Sequence, residues 1–157
     1  MPLNPSQLQS GLLRVLKAQP PSAPETAKQY ADAYTAYAAL ATAGGFPVLM
    51  TGAEALALAN ALASAWLDPT AGSSIASASA WATGLTSFWA LVTFPPGVVA
   101  PPPVGGPALQ SGLISLFTSL YTDVQPVASQ MATLLDAFTR ALTVTIPGAP
   151  PLIVPVI

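Results

Sequence analysis

The constraint that narrows this chain most is internal repetition. Leu8-Gln9-Ser10-Gly11-Leu12 returns as Leu109-Gln110-Ser111-Gly112-Leu113, with a blurred copy at Leu58-Ala59-Asn60-Ala61-Leu62. A second block follows each: Tyr30-Ala31 with Tyr34 and Tyr37, then Trp81-Ala82 with Leu85 and Phe88, then Met131-Ala132 with Leu135 and Phe138. The period is about 50 residues, which lies in the range where self-similarity signals stacked supersecondary units. It divides the chain into copies at about 4–50, 51–106 and 107–157 within one domain, 1–157.

Proline and glycine punctuate each copy, because proline cannot continue a helix and belongs at starts, turns and extended segments. Between these breaks the spacing predicts six helices. The first covers 5–18, with Asn4 as cap, Pro5 at the first helical position and Gln7 reaching back to the cap. The second covers 23–43, opened by Ser22 and Glu25 as a capping box and closed by Gly44-Gly45. Thr51 and Glu54 form a second box opening a helix that ends near Leu67, before Asp68-Pro69. The remaining helices are expected over 74–93, 107–121 and 126–143. Each carries an apolar stripe at helical spacing, such as Tyr30, Tyr34, Tyr37 or Trp81, Leu85, Phe88, Val92. A short helix, a tight connection and a longer helix make an αα-hairpin. The expected fold is therefore all-α: three repeated αα-hairpins packed as one bundle.

Each hairpin runs into an apolar, proline-bearing arm, at 44–50, 94–106 and 146–157. Such segments are expected to be extended or polyproline, with few internal hydrogen bonds. The last arm ends in Leu152, Ile153, Val154, Val156 and Ile157, and burying a side chain of this kind yields roughly 1.5–3 kcal/mol. It is expected to lie on its own bundle or on a neighbouring subunit. Together with Val98, Val99 and Val104 of the second arm, these five residues are the candidate partner-binding set. A short β-segment at 142–146 is expected to pair with a partner's edge. Pro101-Pro102-Pro103 reads as a stiff strap.

Charge supports a packing role. The chain has four Lys or Arg and six Asp or Glu, 6% charged in all against 52% hydrophobic, and residues 69–122 carry no charge. A free surface normally keeps charge for solubility, whereas interface centres are depleted in it. A net charge of −2 gives nothing to attract nucleic-acid phosphates. With no cysteine and no histidine, disulfides and thiolate or imidazole metal sites are excluded. No cofactor is expected. The start, Met1-Pro2-Leu3-Asn4-Pro5, does not read as a secretory signal. The window 75–94 is uncharged but dense in Ser, Thr and Gly, so a water-exposed helix is preferred to a membrane span.

Catalytic groups are scarce. Glu25 and Glu54 are explained by capping, Asp68 by a turn before Pro69, and Asp123 by the start of the last helix. Asp32 and Asp136 remain, both mid-helix and expected to face solvent. Gly44-Gly45 and Gly105-Gly106 lack the context of a phosphate-binding loop and read as helix stops and hinges. The Tyr30, Tyr34, Tyr37 spacing reads as a core stripe ahead of a stacking site for a ligand. The chain is not expected to be an enzyme or to take a small-molecule substrate.

Ala-rich helical hairpins over 8–43 and 109–143, apolar Pro-rich straps over 94–106 and 144–157, low charge and no active site resemble the minor structural proteins of tailed-bacteriophage particles. The resemblance implies a structural subunit of the head, neck, tail or baseplate, located in the virion, assembled in the host cytoplasm and surrounded by protein neighbours. The alternatives left open are a membrane-associated helical protein and a small soluble accessory or binding protein.

Overall fold

Among the described residues, six helices and six short strands follow one another in the order helix, helix, strand, strand, three times over. The computed structural model describes residues 3–68, 73–99 and 106–157. The helices are α1 (Pro5–Ala18), α2 (Ala23–Ala38), α3 (Ala53–Leu67), α4 (Ser74–Leu91), α5 (Gly106–Thr118) and α6 (Val124–Arg140). The strands are β1 (Thr42–Ala43), β2 (Phe46–Pro47), β3 (Thr93–Phe94), β4 (Gly97–Val99), β5 (Thr143–Ile146) and β6 (Leu152–Pro155). The protein is mostly helical with small strands. No helix is long and apolar enough to cross a membrane among the described residues.

Each helix packs on the next, and α6 packs back on α1, so the main helix contacts close a ring. The strands behave alike. Antiparallel pairing joins β1 to β2, and separately β3 to β4 to β5 to β6. Two further bridges, Leu49 with Thr93 and Ala43 with Val156, connect these two sheets at both ends. Backbone hydrogen bonds in both directions hold each junction: Leu49 with Thr93 at 2.8 and 3.3 Å, and Thr42 with Ile157 at 2.9 Å each way. The hydrogen bonding therefore runs round a closed circle, which removes the unpaired edges that invite further strands.

In their described residues the arms thus form β-hairpins, where extended or polyproline straps were expected. Gly44 and Gly45 have φ of +57° and +85°. Two successive left-handed residues are what a two-residue type I′ hairpin turn requires, so this pair turns a hairpin and does not cap a helix. Pro95-Pro96 and residues 147–151 turn the other two. Strand β5 does form where a β-segment was expected, but its partners are β4 and β6 of the same chain.

The helices also end sooner than periodicity suggests: α2 at Ala38, α4 at Leu91, α5 at Thr118 and α6 at Arg140. In the three long helices the reason is visible in burial. Ala41, Val92 and Leu142 are all buried, yet they lie past the helix end on the way into a strand. An apolar stripe records which residues face the core and not whether the backbone is still helical.

The caps follow the sequence in part. Asn4, Ser22, Ser73 and Asp123 accept backbone N–H bonds from the first turns of α1, α2, α4 and α6. Gln7, however, donates to Ala36 O at 3.4 Å and does not fold back on its own cap. Helix α3 departs further from the expected box, since its cap is Gly52, at φ +94°, and not Thr51. The left-handed turn brings two backbone N–H groups onto the Glu54 carboxylate: Thr51 N at 3.0 Å and Gly52 N at 2.8 Å, with the Thr51 hydroxyl at 3.3 Å.

Glu54 is buried. Burial alone pushes its carboxyl upward, but these donors outweigh it and hold it below its ordinary value of 4.5. A lowered folded-state value adds stability that is present above the ordinary value and is lost as pH falls through the lowered one. Glu54→Gln is therefore expected to cost about 1–2 kcal/mol at neutral pH, by leaving N–H donors without an anion. The loss should shrink in acid. Urea unfolding of both proteins at neutral pH and well below 4.5 measures it; an equal gap at both values contradicts this account.

One hydrophobic cluster runs through all six helices and onto the strands. At its centre three helices are tied by a directed hydrogen-bond chain. Trp89 Nε1 of α4 donates to Tyr34 Oη of α2 at 2.8 Å, and Thr139 Oγ1 of α6 donates to Leu135 O at 2.8 Å. An indole N–H only donates, and the threonine proton is already committed. The Tyr34 hydroxyl must then donate to Thr139 Oγ1 across their 2.7 Å contact. Burial raises the Tyr34 phenol above its ordinary value, which keeps this proton in place. Among the described residues no buried side-chain nitrogen or oxygen lacks a partner.

Candidate functional site

The connections between paired helices all fall at the end of the ring away from the strands, because the strands follow the C-termini of α2, α4 and α6. A cavity of about 460 Å³ opens at this end. Its walls include Leu16, Trp66 and Phe117, from the last turns of α1, α3 and α5. Its floor includes Tyr30, Trp81 and Met131, from α2, α4 and α6. In sequence the members of each trio stand about 50 residues apart.

The aromatic lining is held by its own geometry. The Tyr30 ring meets Trp66 edge-on at 5.9 Å and Trp81 at 5.6 Å. Such contacts are favourable beyond area burial. Polar groups are few. Trp66 Nε1 donates to Ser77 Oγ at 3.2 Å, and Ser73 Oγ caps α4 by accepting from Ala76 N at 3.2 Å. Tyr30 is only 9% exposed, and its hydroxyl has no hydrogen-bond partner among the described residues. Burial pushes that phenol up to about 12. No charged side chain lines the cavity among the described residues.

All three tyrosines of the α2 stripe belong to the core, as their spacing predicts, and Tyr30 also lines the cavity.

The candidate partner-binding residues scatter. Val156 and Val99 are buried in their own chain and Val154 is half-buried, so these three are corrected to core and core-edge positions. Val156 N bonds Leu142 O at 3.1 Å, which settles the last arm onto its own bundle. The side chains of Leu152, Ile153 and Ile157 remain 58, 65 and 46% exposed. The Val98 backbone pairs with Thr93 and Thr145. Val104 and Pro101-Pro102-Pro103 lie outside the described residues.

The two mid-helix carboxylates are committed to different partners. Asp32 pairs with Lys28 at 2.6 Å on the surface of α2. Asp136 does not face solvent freely: it accepts the Tyr37 hydroxyl at 2.5 Å and Arg140 Nε at 2.8 Å. Arg140 Nη2 in turn donates to Leu3 O at 3.0 Å, fastening the chain entry of α1 to the end of α6. Among the described residues no three acidic side chains gather as a metal site would need. Comparison with protein-family models, with curated proteins and with solved structures returns no match.

Proposed function

We propose that this chain is a non-catalytic structural subunit of a larger protein assembly, of the virion kind that its composition resembles. The observation that carries the reading is the outward set Leu152, Ile153 and Ile157. Three of the last six residues are large, aliphatic and about half exposed or more, in a chain with only 6% charge. Single exposed apolar residues are ordinary, but three within six residues of a charge-poor chain suit a contact with other protein. The closed ring of strands adds to this, since a rigid, edge-free platform presents side chains and no backbone to its neighbour.

The same proposal takes the chain to be three fused copies of one unit, a helix pair with its strand pair. Support comes from equivalent positions. Leu8, Leu58 and Leu109 are buried, as are Leu12, Leu62 and Leu113, and Ala27, Ala78 and Ala128. A close helix–helix approach also recurs. A Cβ on Gly11 would stand 3.0 Å from Ala33 Cβ, and one on Gly84 3.1 Å from Ala61 Cβ. One on Gly112 would stand 2.5 Å from Leu134 Cδ2. The three pairs sit at matching places in the three copies.

The triple variant Leu152→Gln, Ile153→Gln, Ile157→Gln tests the contact face. Its melting temperature is expected to stay within a few degrees of the parent, because exposed substitutions shift stability little. Sedimentation velocity across the micromolar range should show the parent chain self-associating and the variant monomeric. A parent chain that stays monomeric throughout, and that leaves neighbouring structural proteins unbound when co-produced with them, overturns the reading.

A further inference from the structure

The geometry points to the cavity at the helix-connection end as a binding site for a neutral, ring-bearing small molecule with a hydroxyl or carbonyl group that hydrogen-bonds to Tyr30. This inference is independent of the assembly role, because the cavity and the exposed strand residues occupy opposite ends of the helix ring.

Three features carry it. A volume of about 460 Å³ with an apolar, aromatic lining and a few polar groups is the usual composition of a small-molecule site. The lining favours rings: Trp66, Trp81 and Phe117 are aromatic, and Met131 is an adaptable thioether. Tyr30 selects polarity. Its ring meets two tryptophans edge-on, its residue is nine-tenths buried and lines the cavity, and its hydroxyl has no hydrogen-bond partner among the described residues. Among the described residues every fully buried polar side-chain atom is satisfied, so the unpartnered Tyr30 hydroxyl is one that keeps accessible surface. A ligand oxygen placed there completes the one phenol that the fold leaves open.

Charge is selected against. An ionised ligand would give up its hydration to a lining without counter-charge among the described residues, and that loss is not repaid. The Tyr30 hydroxyl, raised by burial to about 12, stays protonated across the physiological range and offers one donor and one acceptor.

Calorimetric titration of the full chain with 2-naphthol, and in parallel with naphthalene-2-sulfonate, tests the site. Saturable binding of 2-naphthol at one site is expected, with the sulfonate at least about tenfold weaker. Tyr30→Phe keeps both ring contacts and removes the hydroxyl; it should weaken 2-naphthol by about three- to tenfold at unchanged melting temperature. Val127→Phe, at the cavity wall, should abolish binding by filling the space. The proposal is overturned by the absence of saturable binding up to the probe's solubility. Equal affinity for the sulfonate overturns it too, as does 2-naphthol binding that neither variant changes.

Discussion

A chain lacking residues 152–157 is expected to lose its cooperative melt. The segment supplies all of β6, whose four residue pairs with β5 run from Thr143 with Pro155 to Ile146 with Leu152. It also supplies the bridge from Val156 to Ala43 that closes the circle of strands. Val156 is fully buried, and its loss alone removes about 1.5–3 kcal/mol of apolar burial. Its removal would also uncover Val144 and Ala43, both buried, and leave two strand edges open to pairing with other chains. The sum, about 4 kcal/mol or more, is a large share of the roughly 5–15 kcal/mol that stabilises an ordinary domain. Helical circular dichroism with a broad, non-cooperative thermal transition, and aggregation on concentration, is the expected outcome. A truncated chain that melts sharply within a few degrees of the parent would show that the closure is dispensable. For the same reason truncation cannot separate assembly from folding, which is why the contact face is tested by substitution.

Trp89→Ala is expected to cost about 3–5 kcal/mol, the range for deleting a fully buried large aromatic side chain. Trp89 is buried, meets Phe88 edge-on at 5.5 Å and stacks on Phe94 at 6.3 Å with the rings nearly parallel, 3° apart. It thereby couples α4 to the strand that follows it. Its indole N–H is also the first donor of the chain through Tyr34 to Thr139. For a chain of this length each kcal/mol shifts the melting temperature by about 2–4 °C, so a fall of roughly 10 °C or more is expected. Trp89→Phe retains most of the ring and removes only the donor, and should cost about 1–2 kcal/mol plus a small packing loss. Thermal melts of Trp89→Ala, Trp89→Phe, Tyr34→Phe and the Trp89→Phe/Tyr34→Phe double variant apportion these effects. If the double variant costs less than the sum of the single ones, the hydrogen bond is coupled as described. A Trp89→Ala protein melting within a few degrees of the parent would contradict the central role given to this residue.

Much of the helical layer was legible before any coordinates. Asn4 and Ser22 cap helices, and Leu8, Leu12, Tyr34, Leu85 and Leu135 point inward, because capping and the 3.6-residue stripe are set by neighbours in the chain. Two signals in the sequence fit the strands that the structure shows. Gly44-Gly45 sits between Thr42-Ala43 and Phe46, a hairpin pattern as well as a helix stop. Residues 93–99 hold Thr, Phe and Val around Pro95-Pro96, which fits a strand–turn–strand as readily as a strap. Proline content outweighed both, although proline is compatible with turns and strand ends. The polar chain in the core also left a trace. Thr139 occupies a position where the other copies place Ala38 and Trp89, and Tyr34 one where they place Leu85 and Leu135. A hydroxyl at an otherwise apolar core position implies a buried partner, but the sequence does not say which.

What the sequence determined by itself was local and periodic: the number of helices, their order, most of their starts and the face each turns inward. Tertiary structure alone decided what those faces meet. Leu49 with Thr93, Val156 with Ala43 and Tyr34 with Thr139 join residues brought together only when the ring closes. The cavity exists for the same reason, since a space bounded by six helices belongs to none of them. Local propensity acts within a few bonds along the chain, whereas pairing, closure and enclosed volume depend on distances through space that no single segment encodes.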